Sequence, residues 1–207
     1  MKTRNFILIS LVIFLMTGCF VKSLHPFYKE NEIIFKKELL GNWAGNDSSV
    51  WKIEQGMKFT GLFKPDTPDN AYLITYTDKK GIAKFKVHLF QLGNHCFFDF
   101  YPEEVESTND LMAFHLVPMH TVAKVELSMG KIVIQWYNEE WLIELFKQNK
   151  IRIAHEKIPN IEGKSGEDNI QVVLTASTND LQKFMLKYMD DPNAFKNDNS
   201  IILTKKN

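Results

Sequence analysis

The sequence predicts a mainly β chain of the α+β type: an antiparallel β-barrel with one or two external C-terminal helices. Three observations point there. Apolar and polar residues alternate through most of residues 43–137, the period of half-buried strands. Turn chemistry punctuates that stretch at Thr77-Asp78-Lys79-Lys80-Gly81, Gly93-Asn94 and Met129-Gly130. The period becomes helical only after Asn138. Of the 207 residues 44% are apolar and 13% aromatic, enough for a sizeable core and too much for wholesale disorder. That length suits one domain, because chains usually split beyond roughly 250 residues. Lys plus Arg and Asp plus Glu number 25 each, and this zero balance argues against nucleic acid as a partner.

The first element is an export signal. Lys2 and Arg4 precede Phe6–Met16, an apolar run broken only by Ser10. As a helix it spans roughly 16 Å, about half of a ~30 Å hydrocarbon core, so it reads as a signal region and not a membrane span. Leu15-Met16-Thr17-Gly18-Cys19 resembles the lipobox of bacterial lipoproteins. The resemblance implies removal of residues 1–18 and acylation of Cys19, whose thiol is the nucleophile. It implies a membrane partner held through the N-terminal lipid, with two or three acyl chains giving the stability one chain lacks. Removing 18 residues leaves 189, and loss of Lys2 and Arg4 sets 23 cations against 25 acids. Phe20 and Val21 follow the cysteine with no Asp between, a pattern similar to outer-membrane sorting in a Gram-negative host. The expected location is the cell envelope, lipid-anchored, and in a Gram-negative host the outer membrane facing the periplasm. Cys96 is then the one remaining cysteine, so no internal disulfide is expected. Among Phe97, Phe98 and Phe100 it reads as a small buried hydrophobe.

Residues 19–32 read as a tether, with Pro26 and charged Lys29, Glu30 and Glu32, and residues 33–207 as one folded domain. Lys36–Leu40 suits a short helical turn before Gly41-Asn42-Trp43 opens the first strand. Alternation follows at Val50–Ile53 and Lys58–Lys64. Tyr72, Ile74 and Tyr76 then share one face. Ala83, Phe85, Val87 and Leu89 face one way, Lys84, Lys86 and His88 the other. His95–Tyr101 is a strand ended by Pro102, and Glu103–Asp110 an acidic loop. Leu111–Val117 resumes the strand pattern until Pro118, and Thr121–Leu127 with Lys131–Tyr137 make a hairpin. Asn138 caps a helix with Glu139 and Glu140 in its first turn and a Trp141, Leu142, Leu145, Phe146 stripe. Strands are expected at Ile151–His155 and Ile170–Thr175, either side of the polar loop Glu162–Asn169. Ser177 and Asp180 cap a helix striped by Leu181, Phe184, Met185 and Tyr188 and stopped at Asp191-Pro192. Ile201–Leu203 suits a final edge strand.

Gly41-Asn42-Trp43, after a helical turn, resembles the G-x-W signature of the lipocalin and calycin barrels. That resemblance implies a Trp closing the barrel floor and a small apolar ligand in the cup. Trp43, Trp51, Tyr72, Tyr76 and Phe85 are the expected ligand-facing residues, although in a small barrel such rings also serve as a plug. Thr77-Asp78 is followed by Lys79, a departure from the family's T-D-Y element. Val87–Gly93, Asp99–Pro102, His115–Thr121, His155-Glu156 and Leu174–Ser177 together resemble a group of uncharacterised bacterial lipoproteins, and imply no activity.

His88, His115 and His120 are the candidate metal ligands, with His155 on another expected strand, since imidazoles suit zinc or copper. Asp99, Glu156 and the acidic loop Glu103-Glu104-Val105-Glu106 are the carboxylates available for acid–base work, but Asp99, between aromatic residues, reads as a buried and satisfied polar group and the loop as a solvated surface. Gly163-Lys164-Ser165 lacks the earlier glycine of a phosphate loop, and no G-x-S-x-G, H-E-x-x-H or G-x-G-x-x-G occurs. No catalytic residue is therefore expected, and no cofactor beyond zinc or copper. The leading expectation is a lipid-anchored binding or accessory module for a small apolar ligand or an envelope protein. The alternatives are a metal-dependent envelope enzyme and a structural lipoprotein that docks a protein partner.

Overall fold

Alternation becomes a ring. The computed structural model describes residues 20–58, 60, 66–103, 109–159, 170–195 and 200–206. Its strands are β1 (Lys22–Ser23), β2 (Gly41–Gly45), β3 (Val50–Lys58), β4 (Thr67–Asp78), β5 (Gly81–Leu92), β6 (His95–Pro102), β7 (His120–Ser128), β8 (Lys131–Trp136), β9 (His155–Pro159), β10 (Ile170–Leu174) and β11 (Ile201–Lys205). Helices are α1 (Asp110–Ala113), α2 (Glu139–Lys147) and α3 (Thr178–Tyr188). Strands β2 to β8 pair in chain order, β11 joins β8 back to β2, and every pairing is antiparallel. The result is a closed eight-stranded barrel, consistent with a lipocalin-like fold. Strands β1, β10 and β9 extend the sheet outside it from β7.

Two apolar cores follow from the two faces of the strands. One fills the barrel, with Trp43, Trp51, Ile53, Tyr72, Ile74, Val87, Leu89, Phe98, Phe100, Ile132, Ile134 and Leu203. The other lies on the outer face of β5 to β7, where Phe90, Leu92, Phe97 and Val122 pack against α2, α3 and β10. Local chemistry sets the covering helices. The Asn138 Oδ1 accepts from the N–H groups of Glu140 and Trp141, and Ser177 Oγ accepts from that of Asp180. Glu139 is buried and its Oε1 accepts from Val172 N–H at 2.9 Å, tying α2 to β10. Gly93 turns from β5 to β6 at φ +59°, and a Cβ there would lie 2.7 Å from Met189 Cε, so the hairpin and the end of α3 touch.

Several expectations differ from the structure. Residues 20–32, expected as a tether, are built into the body. Lys22 and Ser23 pair with β7 and β10, and Val21 and Phe27 are buried in the outer core. Thr178 Oγ1 donates to Pro26 O at 2.8 Å, and Gln182 Nε2 donates to Phe27 O at 3.0 Å. Leu111–Val117 forms α1 and an irregular segment, not a strand. Asn109 Oδ1 accepts from Leu111 N–H, and Phe114 is 85% exposed, so that alternation faces water and not a core. In 151–154, Ile151 and Ile153 are buried, yet pairing of β9 begins only at His155. Strand β11, expected at an edge, is paired on both sides. Cys19, residues 59 and 61–64 of the expected Lys58–Lys64 alternation, and the loop residues 104–108 and 160–169 lie outside the described residues.

Phe27→Ala is expected to destabilise the chain by about 3–5 kcal/mol, the usual cost of emptying a buried phenylalanine site. Chemical denaturation followed by circular dichroism checks this. An unchanged midpoint would mean that residues 20–32 contribute nothing to the body.

Candidate binding site

The five residues expected to face a ligand all point into the barrel. Trp43 Nε1 donates to Leu39 O at 2.9 Å, and Trp51 Nε1 to Ser49 Oγ at 2.8 Å. The Tyr72 hydroxyl accepts from Lys36 N–H at 2.6 Å and donates to Lys36 O at 3.2 Å, which fixes residues 33–40 across one end. Tyr76 OH donates to Asp78 Oδ2 at 3.2 Å. The polar atoms of these four residues are therefore bonded within the protein. The rings also meet one another: Trp51 lies 5.2 Å from Tyr76 and 6.2 Å from Phe100, Phe85 lies 5.9 Å from Phe100, and Tyr72 lies 6.3 Å from Phe98. Trp43, Trp51 and Tyr72 are all buried, at most 3% exposed. Burial pushes the Tyr72 and Tyr76 hydroxyls up to about 12, so both stay neutral donors.

The candidate metal histidines separate. His88 and Asp99 are cross-strand partners on the outer face of β5 and β6, and His120 opens β7 beside them. Asp99 is fully buried; its Oδ1 lies 2.7 Å from His120 Nδ1, and its Oδ2 accepts from Phe27 N–H at 2.8 Å. Burial raises the Asp99 carboxyl above its ordinary value, against the opposing pull of His120 and the Phe27 N–H. The Tyr28 ring sits 4.5 Å from that of His88, and burial, helped by Lys86, lowers His88 to about 4. His115 is elsewhere: it is exposed on the segment after α1, with Nδ1 2.7 Å from Leu111 O. Its predicted place on a strand fails with the strand itself. His155 stacks 3.7 Å from Phe146. Among the described residues no three His, Cys, Asp or Glu side chains converge in a metal-binding set. What His88, Asp99 and His120 do here is hold Phe27 and Tyr28 against the barrel. Cys96 faces the barrel core on β6, with a free thiol.

A concave surface lies outside the barrel instead. It runs between residues 149–154 and α3, with a volume of about 590 Å³. Ile151, Ile153, Ala176 and Phe184 are its buried lining and Tyr188 is half-buried, while Lys150, Arg152, Lys183 and Lys187 are exposed around it. Asn149 creates the wall by turning the chain out of α2 at φ +53°, the left-handed conformation Asn tolerates at a helix end. Lys150 N–H then donates to Leu145 O at 3.0 Å. Thr175 N–H donates to Ala154 O at 3.0 Å, so the segment is fastened beside β10.

No known protein family, curated protein or solved structure matches this chain. The barrel and its flank are therefore read from their own chemistry. Sequence reasoning did not find the groove, although both halves leave a trace. Ile151 and Ile153 alternate with Arg152, and Lys183 and Lys187 are one helical turn apart.

The His88 environment predicts a pH dependence. The folded chain holds this imidazole at about 4, whereas an unfolded chain protonates it near 6.5. Between those values the unfolded state binds more protons, so stability falls as pH drops. Lys86, Asp69, His120, Asp99 and Tyr28 surround the ring. After allowance for solvent screening, wild type is expected to lose about 1 kcal/mol more than His88→Gln between pH 7 and pH 5, measured by urea denaturation. Parallel losses in the two proteins would show that His88 is not the responsible group.

Proposed function

We propose that this chain is a non-enzymatic binding module of a bacterial envelope, anchored by lipid at Cys19, with its ligand site in the groove beside α3. The anchor rests on the lipobox-like Leu15–Cys19, which precedes the described residues. No helix among the described residues is long and apolar enough to cross a membrane. The groove is the observation that carries the reading. Its volume of about 590 Å³ lies inside the range of roughly 300–1,000 Å³ typical of small-molecule sites. Its lining is divided between apolar residues, Ile151, Ile153, Ala154, Ala176, Phe184 and Tyr188, and polar or charged ones, so it offers both kinds of contact to a ligand. The barrel supplies rigidity: its interior side chains pack on each other and give the flanking elements a fixed platform.

Two measurements test this. Cells expressing the wild-type chain should incorporate labelled palmitate into it, and Cys19→Ala should abolish the label. Native mass spectrometry of the mature Cys19→Ser chain from a bacterial periplasm should show a small-molecule adduct. Ala154→Trp, an exposed lining position filled with a large ring, should remove that adduct without lowering the melting temperature. An adduct that survives the tryptophan substitution places the ligand outside the groove. A clean mass from the Cys19→Ser chain removes the support for a stably held ligand.

A further inference from the structure

We propose that the groove between residues 149–154 and α3 binds an amphipathic anion: a single molecule with a phosphate or carboxylate head and an apolar tail. This rests on the groove being the ligand site. Among the described residues four cations, Lys150, Arg152, Lys183 and Lys187, line it, and Asp180 is the one acid that does. Asp180 is already engaged, with Lys183 Nζ at 3.0 Å and Ser177 Oγ at 2.9 Å. Among the described residues neither Lys150 nor Arg152 pairs with a carboxylate. Lys187 Nζ stands 5.0 Å from the centre of the Tyr188 ring. This positive character is local, because the whole chain has 25 cations against 25 acids.

The distribution of groups decides the ligand class. Charge is confined to exposed positions, and the buried positions are Ile151, Ile153, Ala176 and Phe184. A wholly polar anion would leave exposed Ala154 and the half-buried Tyr188 ring without an apolar contact, and a neutral hydrocarbon would leave the cations unused. A molecule with both parts satisfies both. Arg152 offers the planar fork that meets phosphate or carboxylate through two hydrogen bonds, and the lysines add rotatable point charges. Their aliphatic stems extend the apolar lining toward the head group. Such heads occur on free acyl anions and on membrane lipids; the site dimensions and lining favour one dispersed molecule over a bilayer surface.

The test uses the mature Cys19→Ser chain, since the barrel and both cores lie within residues 20–206. Dodecyl phosphate, dodecanoate and dodecyl maltoside are titrated below their micelle concentrations by isothermal calorimetry. Both anions should bind at least tenfold tighter than the maltoside, and more weakly at 0.5 M salt than at 0.05 M. Arg152→Glu with Lys187→Glu should remove at least tenfold of the anion affinity and leave the maltoside unchanged. These side chains are exposed, and an unaltered melting curve confirms folding. Equal binding of all three amphipaths would overturn the anion preference and leave the groove as a ligand site. No binding of any would overturn both readings. Co-sedimentation with phosphatidylglycerol vesicles without binding of dispersed anions would assign the cations to a membrane surface and overturn the single-molecule site.

Discussion

Closure of the barrel by β11 is the constraint on which the rest depends. Leu203 pairs with Ile132 on one side and Gly45 on the other, so five residues join β8 to β2. Without them both strands would present unpaired N–H and C=O groups. With them every barrel strand has two partners, and each residue is committed to one face. A one-residue slip would exchange the faces, which fixes register around the ring. Strand β5 shows the consequence: Val87 and Leu89 enter the barrel core, while His88, Phe90 and Leu92 face outward.

That commitment creates a second problem which the remaining elements solve. The outer faces of β5 to β7 carry Phe90, Phe97 and Val122, apolar surface that a bare barrel would leave in water. Helices α2 and α3, β10 and residues 20–32 cover it. Their polar anchors sit in the same layer. Burying Asp99 carries a desolvation cost, which His120 and the Phe27 N–H offset by bonding both oxygens. The groove arises where this cover ends, because α3 turns Leu181 and Met185 inward and leaves Lys183 and Lys187 outward.

Legibility from sequence follows the range of the interaction. Barrel-facing Trp43, Trp51, Tyr72, Tyr76 and Phe85 were readable because alternation is local, and Asn138 and Ser177 because a cap acts within three residues. Residues 20–32 were not. Their polar, proline-containing composition suits a tether, and their partners lie far along the chain: Asp99 is 72 residues from Phe27 and Gln182 is 155. Residues 111–117 misled for the opposite reason, having the right alternation and no surface to bury it. The groove joins Lys150 and Arg152 to Lys183 and Lys187, and no spacing rule links an extended segment to a helix some thirty residues on.

The placement of residues 20–32 also bears on how an anchored molecule would work. Phe20 bridges to Asn138, the cap of α2, and its ring lies 4.5 Å from Trp136. Under the proposed acylation of Cys19, a single peptide unit of about 3.8 Å separates the lipidated residue from this fastened position. A thirteen-residue tether would have let the body sample a wide volume, since a flexible chain's reach grows with the square root of its length. The built-in segment removes that freedom. Under that proposal the barrel would be held close to the bilayer surface, and the groove belongs to the same cover of the barrel's outer face that takes up residues 20–32.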